Sequence, residues 1–185
     1  MSKIAGANGN VFEDARNWPP IGTASLSGYE RSRVLVQNGK SWTDVAAAVG
    51  VTDRYDGRAV ALADLFNRGV LDVVVANENQ PALVYKNSVA PGHHWIGLKL
   101  VGTKSNRSAI GAQVTVVAGG VRRCQVVDGG MGFASQNDRR LHFGLGTART
   151  VDRIEIQWPS GLEQALEGLA VDQLHVITEP ENRRP

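Results

Sequence analysis

Short stretches in which apolar and polar residues alternate, each followed by a turn sequence, recur along this chain and limit the folds it can adopt. Residues 153–158 alternate strictly, and Pro-Ser-Gly follows at 159–161. The same period of two runs through residues 95–101 and 110–116, and the pair Gly119-Gly120 after the latter is a natural hairpin turn. Glycine supplies 21 of the 185 residues, which provides for many tight turns. The pattern predicts an all-β protein built from short strands.

Two regions of different character meet near residue 90. In residues 1–90, segment 8–15 resembles segment 38–45, and 34–38 resembles 83–87 at an offset close to the roughly 40–50-residue period of β-propeller blades. Residues 91–178 contain seven or eight strand-like segments, typical of a sandwich or small barrel. Residues 179–185 form a polar tail that we expect to be frayed.

Positive charge is concentrated in the middle of the chain. The formal net charge is only +2, too small for the whole protein to bind polyanions, yet residues 91–150 carry eight basic and two acidic side chains. If several of these basic residues lie on one face, they would bind an acidic protein surface, a sulfated glycan or lipid head groups. Scattered solvated charges are the equal alternative. Nucleic acid is not an expected partner, because aromatic residues make up 6% and none is interleaved with the basic ones. The predicted partner-binding residues are Lys104, Arg107, Arg122, Arg123, Arg139 and Arg140.

Cys124 is the single cysteine, which excludes an intrachain disulfide and a cysteine-based metal cluster. We expect it to be a partly buried, inert strand residue rather than a thiol activated by its arginine neighbours. The most apolar windows, 45–51 and 70–76, are far shorter than the roughly 20 residues of a membrane-spanning helix. No transmembrane segment is therefore predicted, and residues 1–9 lack the apolar core of a secretory signal.

Four motifs follow one another in the second region. They are residues 102–112 (Gly-Thr-Lys-Ser-Asn-Arg-Ser-Ala-Ile-Gly-Ala), 135–137 (Ser-Gln-Asn), 142–146 (His-Phe-Gly-Leu-Gly) and 158–161 (Trp-Pro-Ser-Gly). In this order they resemble the ASPIC/UnbV domain. The resemblance implies a β-sandwich-like module preceded by FG-GAP (VCBS-type) propeller repeats, a periplasmic or extracellular setting, and no established catalytic activity. The expected fold is thus a C-terminal β-sandwich-like ASPIC/UnbV domain preceded by partial β-propeller-type blades.

Residues 64–72 resemble a calcium loop of an FG-GAP repeat that has lost two ligands. The intact pattern D-x-D-x-D-G-x-x-D wraps oxygen ligands around a hard cation. Here Asp64, Gly69 and Asp72 match, but Phe66 and Arg68 stand at the third and fifth positions. A guanidinium at the fifth position repels a cation, so we predict no metal here and expect Arg68 to bridge the two carboxylates in its place. The alternative is that both aspartates merely cap turns.

No complete motif of a hydrolase, metalloprotease or nucleotide-binding protein occurs in the chain. We therefore predict a non-catalytic binding or scaffolding module without a cofactor. It would be an accessory subunit that docks onto a larger protein assembly or an extracellular or periplasmic partner through strand edges in 30–88 and the basic residues. The alternative is an enzyme or carbohydrate-binding module acting on a glycan or secondary metabolite, with Asp138 or Asp128 near His142 as acid or base.

Overall fold

The computed structural model describes residues 30–88 and 91–181, and within these ranges the chain is all β, as predicted. The segment 8–15 that resembles 38–45 lies outside the described residues. None of the described residues forms a helix that could cross a membrane. The strands are β1 (Leu35–Asn38), β2 (Ser41–Asp44), β3 (Gly57–Ala63), β4 (Asp72–Asn77), β5 (Gln80–Tyr85), β6 (His94–Val101), β7 (Gln113–Ala118), β8 (Val121–Val126), β9 (Leu141–Gly146), β10 (Arg153–Gln157), β11 (Glu163–Leu166) and β12 (Leu174–Thr178).

The chain divides into two compact units. The described part of the first comprises residues 30–58 and 76–82, and that of the second comprises 59–75, 83–88 and 91–181. The division runs through the three-stranded sheet β3-β4-β5, whereas the sequence pattern places a boundary near residue 90, which stays a prediction. The first unit contains the hairpin β1-β2, whose eight strand residues are all exposed.

The second unit contains a β-sandwich, which confirms the predicted fold of this region. One sheet has the strand order β11-β10-β7-β8 and the other has the order β12-β6-β9, in which β12 runs parallel to β6 and β9 antiparallel to it. Apolar side chains of both sheets form the core. Its largest members are Phe143, Ile96, Leu98, Ile154, Ile156 and Trp158.

Alternation decides which side chains enter this core. Ile96, Leu98 and Leu100 of β6 are buried as predicted, and the residues between them face the outside of the sheet. Gly119 and Gly120 have φ values of 56° and 75° and form the hairpin turn between β7 and β8, also as predicted.

One part of the predicted alternation is wrong. Residue Ile110 does not share a face with Val114, because β7 begins only at Gln113. Instead, the Asn106 side chain donates to the Ile110 carbonyl oxygen (2.8 Å) and accepts from its N–H (2.9 Å), which holds residues 106–110 in a loop and leaves the Ile110 side chain 37% exposed.

Glu179, which the sequence pattern assigns to a frayed tail, is 2% exposed and tightly bonded. Its Oε2 accepts the backbone N–H groups of Thr103, Lys104 and Ser105, and its Oε1 accepts the hydroxyls of Ser105 and Ser160. Burial raises the pKa of this carboxyl, but these donors outweigh it and lower the pKa to about 2. The ordered sandwich therefore includes Glu179.

Candidate binding groove on the sheet face

A groove runs over the outer face of the sheet β12-β6-β9. One part, here called the basic end, has a volume of about 650 Å³, and the adjoining part, the aromatic end, has about 300 Å³. Both parts are lined by Asp138, Arg140 and Leu174, so they adjoin one another at these residues. The remaining residues of the basic end are Lys99, Leu100, Val101, Arg107, Ser108 and Arg139, and those of the aromatic end are Asp64, Asn67, Leu71, Trp95, Gly97, Leu141, His142, Asp172 and Gln173.

Residues 62–71, which comprise the end of β3 and the segment between β3 and β4, form one wall of this groove. The backbone N–H of Leu62 donates to Asn137 Oδ1 (2.9 Å), and its carbonyl accepts the N–H of Asp138 (3.0 Å). Arg140 donates to Asn67 Oδ1 (2.9 Å) and to the carbonyl oxygen of Asp64 (3.2 Å). Side chains of two motifs that resemble the ASPIC/UnbV domain, Asn137 and His142, thus contact this segment directly.

Gly69 packs against Trp95 and His142 at the aromatic end. His142 Nε2 lies 2.8 Å from the Gly69 carbonyl oxygen, and the His142 ring stacks on Trp95 with centroids 5.6 Å apart and an interplanar angle of 9°. A Cβ added to Gly69 would lie 1.9 Å from Trp95 Nε1, and one added to Gly97 would lie 3.0 Å from Trp95 Cζ3. Both glycine backbones therefore lie close to the indole, and only glycine fits at residue 69.

The predicted guanidinium bridge between Asp64 and Asp72 is only half formed, because the Arg68 side chain contacts Asp72 but not Asp64. Its guanidinium donates to Asp72 Oδ1 (2.7 Å) and to the Asn87 carbonyl (3.0 Å), whereas its backbone N–H donates to Asp64 Oδ1 (2.8 Å). Burial raises the pKa of Asp72, but the Asn87 N–H and Arg68 outweigh it and keep that pKa below its usual value. The Asp72 carboxylate therefore has a fixed positive partner, whereas the Asp64 carboxylate caps the turn by accepting the N–H groups of Arg68 and Gly69.

Phe66, at the third position of the loop, where the other ligand is lost, lies beside two cations. The Arg68 guanidinium carbon and Lys86 Nζ each lie 5.2 Å from its ring centroid. Asp72 Oδ2 is buried and has no hydrogen-bond partner among the described residues. No group of three or more His, Cys, Asp or Glu side chains within residues 30–88 and 91–181 is placed to hold a metal ion.

We expect the wild-type chain to bind no Ca²⁺ at this loop, because two ligands are missing and the positive Arg68 guanidinium, bonded to Asp72, repels a cation there. Phe66→Asp combined with Arg68→Asp should restore the missing ligands and create a site with a dissociation constant of about 10⁻⁴ M. Isothermal titration calorimetry with Ca²⁺ measures the affinity of the wild type and of the double variant. Phe66→Asp alone, which retains the guanidinium, is the control and should not bind. Micromolar binding by the wild type would contradict this account.

The basic end contains three cations without an acidic partner. Among the described residues no carboxylate pairs with Lys99, Arg107 or Arg139, and Arg139 donates to the neutral Ser108 hydroxyl (3.1 Å). Arg140 is different, because its guanidinium forms an ion pair with Asp138. Burial raises the pKa of Asp138, but the bonds and charge of Arg140 hold it below the usual value, so the carboxyl stays ionised. The basic end is therefore net positive.

The six basic residues predicted to bind a partner do not form one patch. Arg107, Arg139 and Arg140 line the basic end, but Lys104 lines a separate small cavity beside Glu179. Arg122 lies on β8 with its side chain 63% exposed and pairs with Glu155, and Arg123, the next residue along that strand, points to the opposite face. Lys99 was missed by the sequence reasoning. It is the only charged residue in 95–101, and its place on the outer face follows from the alternation there.

The residues considered for catalysis are engaged in local contacts. Asp138 is paired with Arg140, His142 Nε2 contacts the Gly69 carbonyl, and Asp128 Oδ1 accepts the N–H of Gly130 at 2.9 Å.

Cys124 is exposed, contrary to the expectation of partial burial, because it pairs with Thr115 and so faces outward from the sheet. A pair that the sequence reasoning missed lies beside the aromatic end: His94 Nδ1 is 2.6 Å from Asp172 Oδ2, and this contact lowers the pKa of Asp172.

Comparison with known proteins identifies the second half of the chain. Residues 102–184 match the family model described as "ASPIC and UnbV", which confirms the predicted ASPIC/UnbV domain over those residues. Cartilage acidic protein 1 of Xenopus tropicalis is 29% identical over 112 residues, which are 57% of this chain and 17% of that protein. The chain thus spans less than a fifth of this relative's length. The FG-GAP repeats expected before the domain stay a prediction.

Proposed function

We propose that this chain is a non-catalytic binding module that holds an acidic macromolecular partner in the groove over β12-β6-β9. The observation that carries the proposal is the set of three cations, Lys99, Arg107 and Arg139, that share the basic end without forming an ion pair, while the one carboxylate there, Asp138, is paired with Arg140. Like charges gathered on one surface repel one another, and a ligand that brings negative charge relieves this repulsion.

The basic side chains of the groove are held by rigid elements, which favours a binding role over cations that are merely exposed to solvent. Lys99 stands on β6, which is hydrogen-bonded to a strand on each side. Arg140 is fixed by Asp138, Asn67 and Asp64. Side chains held in place before the ligand arrives lose less conformational entropy on binding, so the same contacts give a higher affinity.

A second contact surface accounts for the exposed strands of residues 30–88. The hairpin β1-β2 exposes Leu35, Val36 and Trp42 by 53%, 50% and 63%. Within the part of the chain that the structure describes, this sheet has only two strands, and large apolar side chains exposed on so short a sheet are typical of surfaces that pair with another segment, chain or domain. We propose that these strands and the sheet β3-β4-β5 are degenerate FG-GAP-type propeller blades that dock onto a larger assembly. An accessory role in an extracellular or periplasmic setting fits the ASPIC/UnbV match and the cartilage protein's name.

The proposal is tested by titrating the protein with two acidic polymers, polyglutamate and heparin fragments, at physiological salt. We expect at least one to bind. Lys99→Ala with Arg107→Ala should weaken that binding about tenfold or more, because two unpaired cations are removed. Lys104→Ala with Arg122→Ala removes the same charge outside the groove and should change the affinity less than twofold.

Two outcomes would contradict the proposal. If neither polymer binds, the proposed acidic partner is excluded. Equal losses of affinity in the two double variants would show only nonspecific electrostatic attraction. Release of cleavage products from the heparin fragments, abolished by His94→Ala, would instead favour the enzyme alternative, to which the His94–Asp172 pair could contribute an oriented base.

A further inference from the structure

We infer that the ligand of this groove is an acidic polysaccharide, with its sulfate or carboxylate groups at the basic end and a sugar ring at the aromatic end. The inference rests on the proposed function and specifies the chemical class of the partner. It depends on the composition of the two ends of the groove and on the position of the groove on the face of a sheet.

The size of the groove and the adjacency of its two ends fit several linked sugar units. The two ends, about 650 and 300 Å³, together match the volume of typical small-ligand sites, roughly 300–1,000 Å³. Because Asp138, Arg140 and Leu174 line both ends, a single chain-like ligand can contact both at once.

The two ends offer different chemistry. The basic end supplies ammonium and guanidinium groups, which bind sulfate and carboxylate through charge-assisted hydrogen bonds. The aromatic end contains the half-buried Trp95 and His142 together with the amide side chains of Asn67 and Gln173. The ring surface that the Trp95–His142 stack leaves uncovered offers an apolar contact for a sugar ring, and the amides both donate to and accept from ring hydroxyls. A sugar polymer that carries acidic groups satisfies both ends.

The position of the groove argues against an acidic peptide. An extended peptide binds a β-sheet by adding a strand to a free edge, where unpaired backbone N–H and C=O groups are available. This groove lies over β6, whose backbone is bonded to β12 on one side and β9 on the other. Ligands on this face find no free strand edge to pair with and meet mainly side chains, so a polymer that brings hydroxyl donors and acceptors has the advantage.

The test compares three oligomers of similar length: a sulfated heparin-derived hexasaccharide, a polyglutamate peptide of matched charge, and neutral cellohexaose. We expect the hexasaccharide to bind at least about tenfold more tightly than polyglutamate, and cellohexaose to bind weakest because it lacks acidic groups. Gln173→Ala should weaken hexasaccharide binding about threefold and leave polyglutamate binding unchanged. Gln113→Ala, an exposed glutamine on the other sheet, is the matched control and should affect neither.

The outcomes separate this inference from the proposed function. Polyglutamate binding as tightly as the hexasaccharide, or more tightly, overturns the polysaccharide inference but leaves an acidic partner in place. Equal effects of Gln173→Ala and Gln113→Ala remove the aromatic end from the site and also overturn the inference. If no acidic oligomer binds, the inference and the proposed function fail together.

Discussion

Replacing Gly69 by alanine is expected to lower the free energy of unfolding by about 3 kcal/mol, as measured by urea denaturation followed by circular dichroism. The added Cβ would lie 1.9 Å from Trp95 Nε1 and 2.0 Å from Trp95 Cε2. The indole cannot retreat freely, because Gly97 lies close to its six-membered ring and His142 is stacked on it. Overpacking of this kind costs about 1–3 kcal/mol, and the φ of +75° adds about 1 kcal/mol for any L side chain.

A matched control separates the clash from the backbone strain. Gly120, in the hairpin turn between β7 and β8, has the same φ of +75°, but a Cβ added there meets nothing within 4 Å. Gly120→Ala should therefore cost only the strain, about 1 kcal/mol. If both variants lose the same stability, Gly69 is not confined by Trp95, and the described wall of the groove is incorrect.

The sandwich could be predicted from the sequence because its determinants are local. Alternation within a strand decides which side chains are buried, and it identified Ile96, Leu98, Ile154 and Ile156 correctly. The strand pairings follow from contacts between distant residues, so the parallel pairing of β12 with β6 has no sequence signal. Cys124 shows the same limit. Its exposure depends on which face of β8 meets the core, and the segment itself alternates weakly.

The groove was harder to predict than the fold, because its residues come from separate parts of the chain. Three of the six predicted basic residues line it, but Lys99 stands among apolar residues and was passed over. One wall of the groove is formed by the segment before β4, which the sequence pattern assigned to a different domain. Asn137, Arg140 and His142 all bond to that segment. Two of the ASPIC/UnbV-like motifs thus have a physical role here: they attach the preceding chain to the sandwich and so complete the groove.

Replacing Glu179 by alanine should destabilise the sandwich by about 3 kcal/mol in the same urea assay. The carboxylate accepts three backbone N–H groups of residues 103–105 and the hydroxyls of Ser105 and Ser160, so its removal leaves several donors without an acceptor. Unsatisfied buried donors cost about 1–3 kcal/mol, and bonds to a charged acceptor lie at the upper end. Glu179→Gln keeps one acceptor and should lose less. Glu181→Ala, an exposed neighbour, should change stability by under about 0.5 kcal/mol.

The pH dependence gives the sharper test of the same contact. Because folding lowers the pKa of Glu179 from 4.5 to about 2, its contribution is fully present above pH 4.5 and is lost as the pH falls toward 2. The stability difference between the wild type and Glu179→Gln should therefore be constant from pH 7 to pH 5 and shrink steadily below that. A difference that persists unchanged at pH 2.5 would mean that the contact depends on shape rather than on charge. In that case the ionised carboxylate would not be what joins residues 103–105 to Ser160 and the last strand.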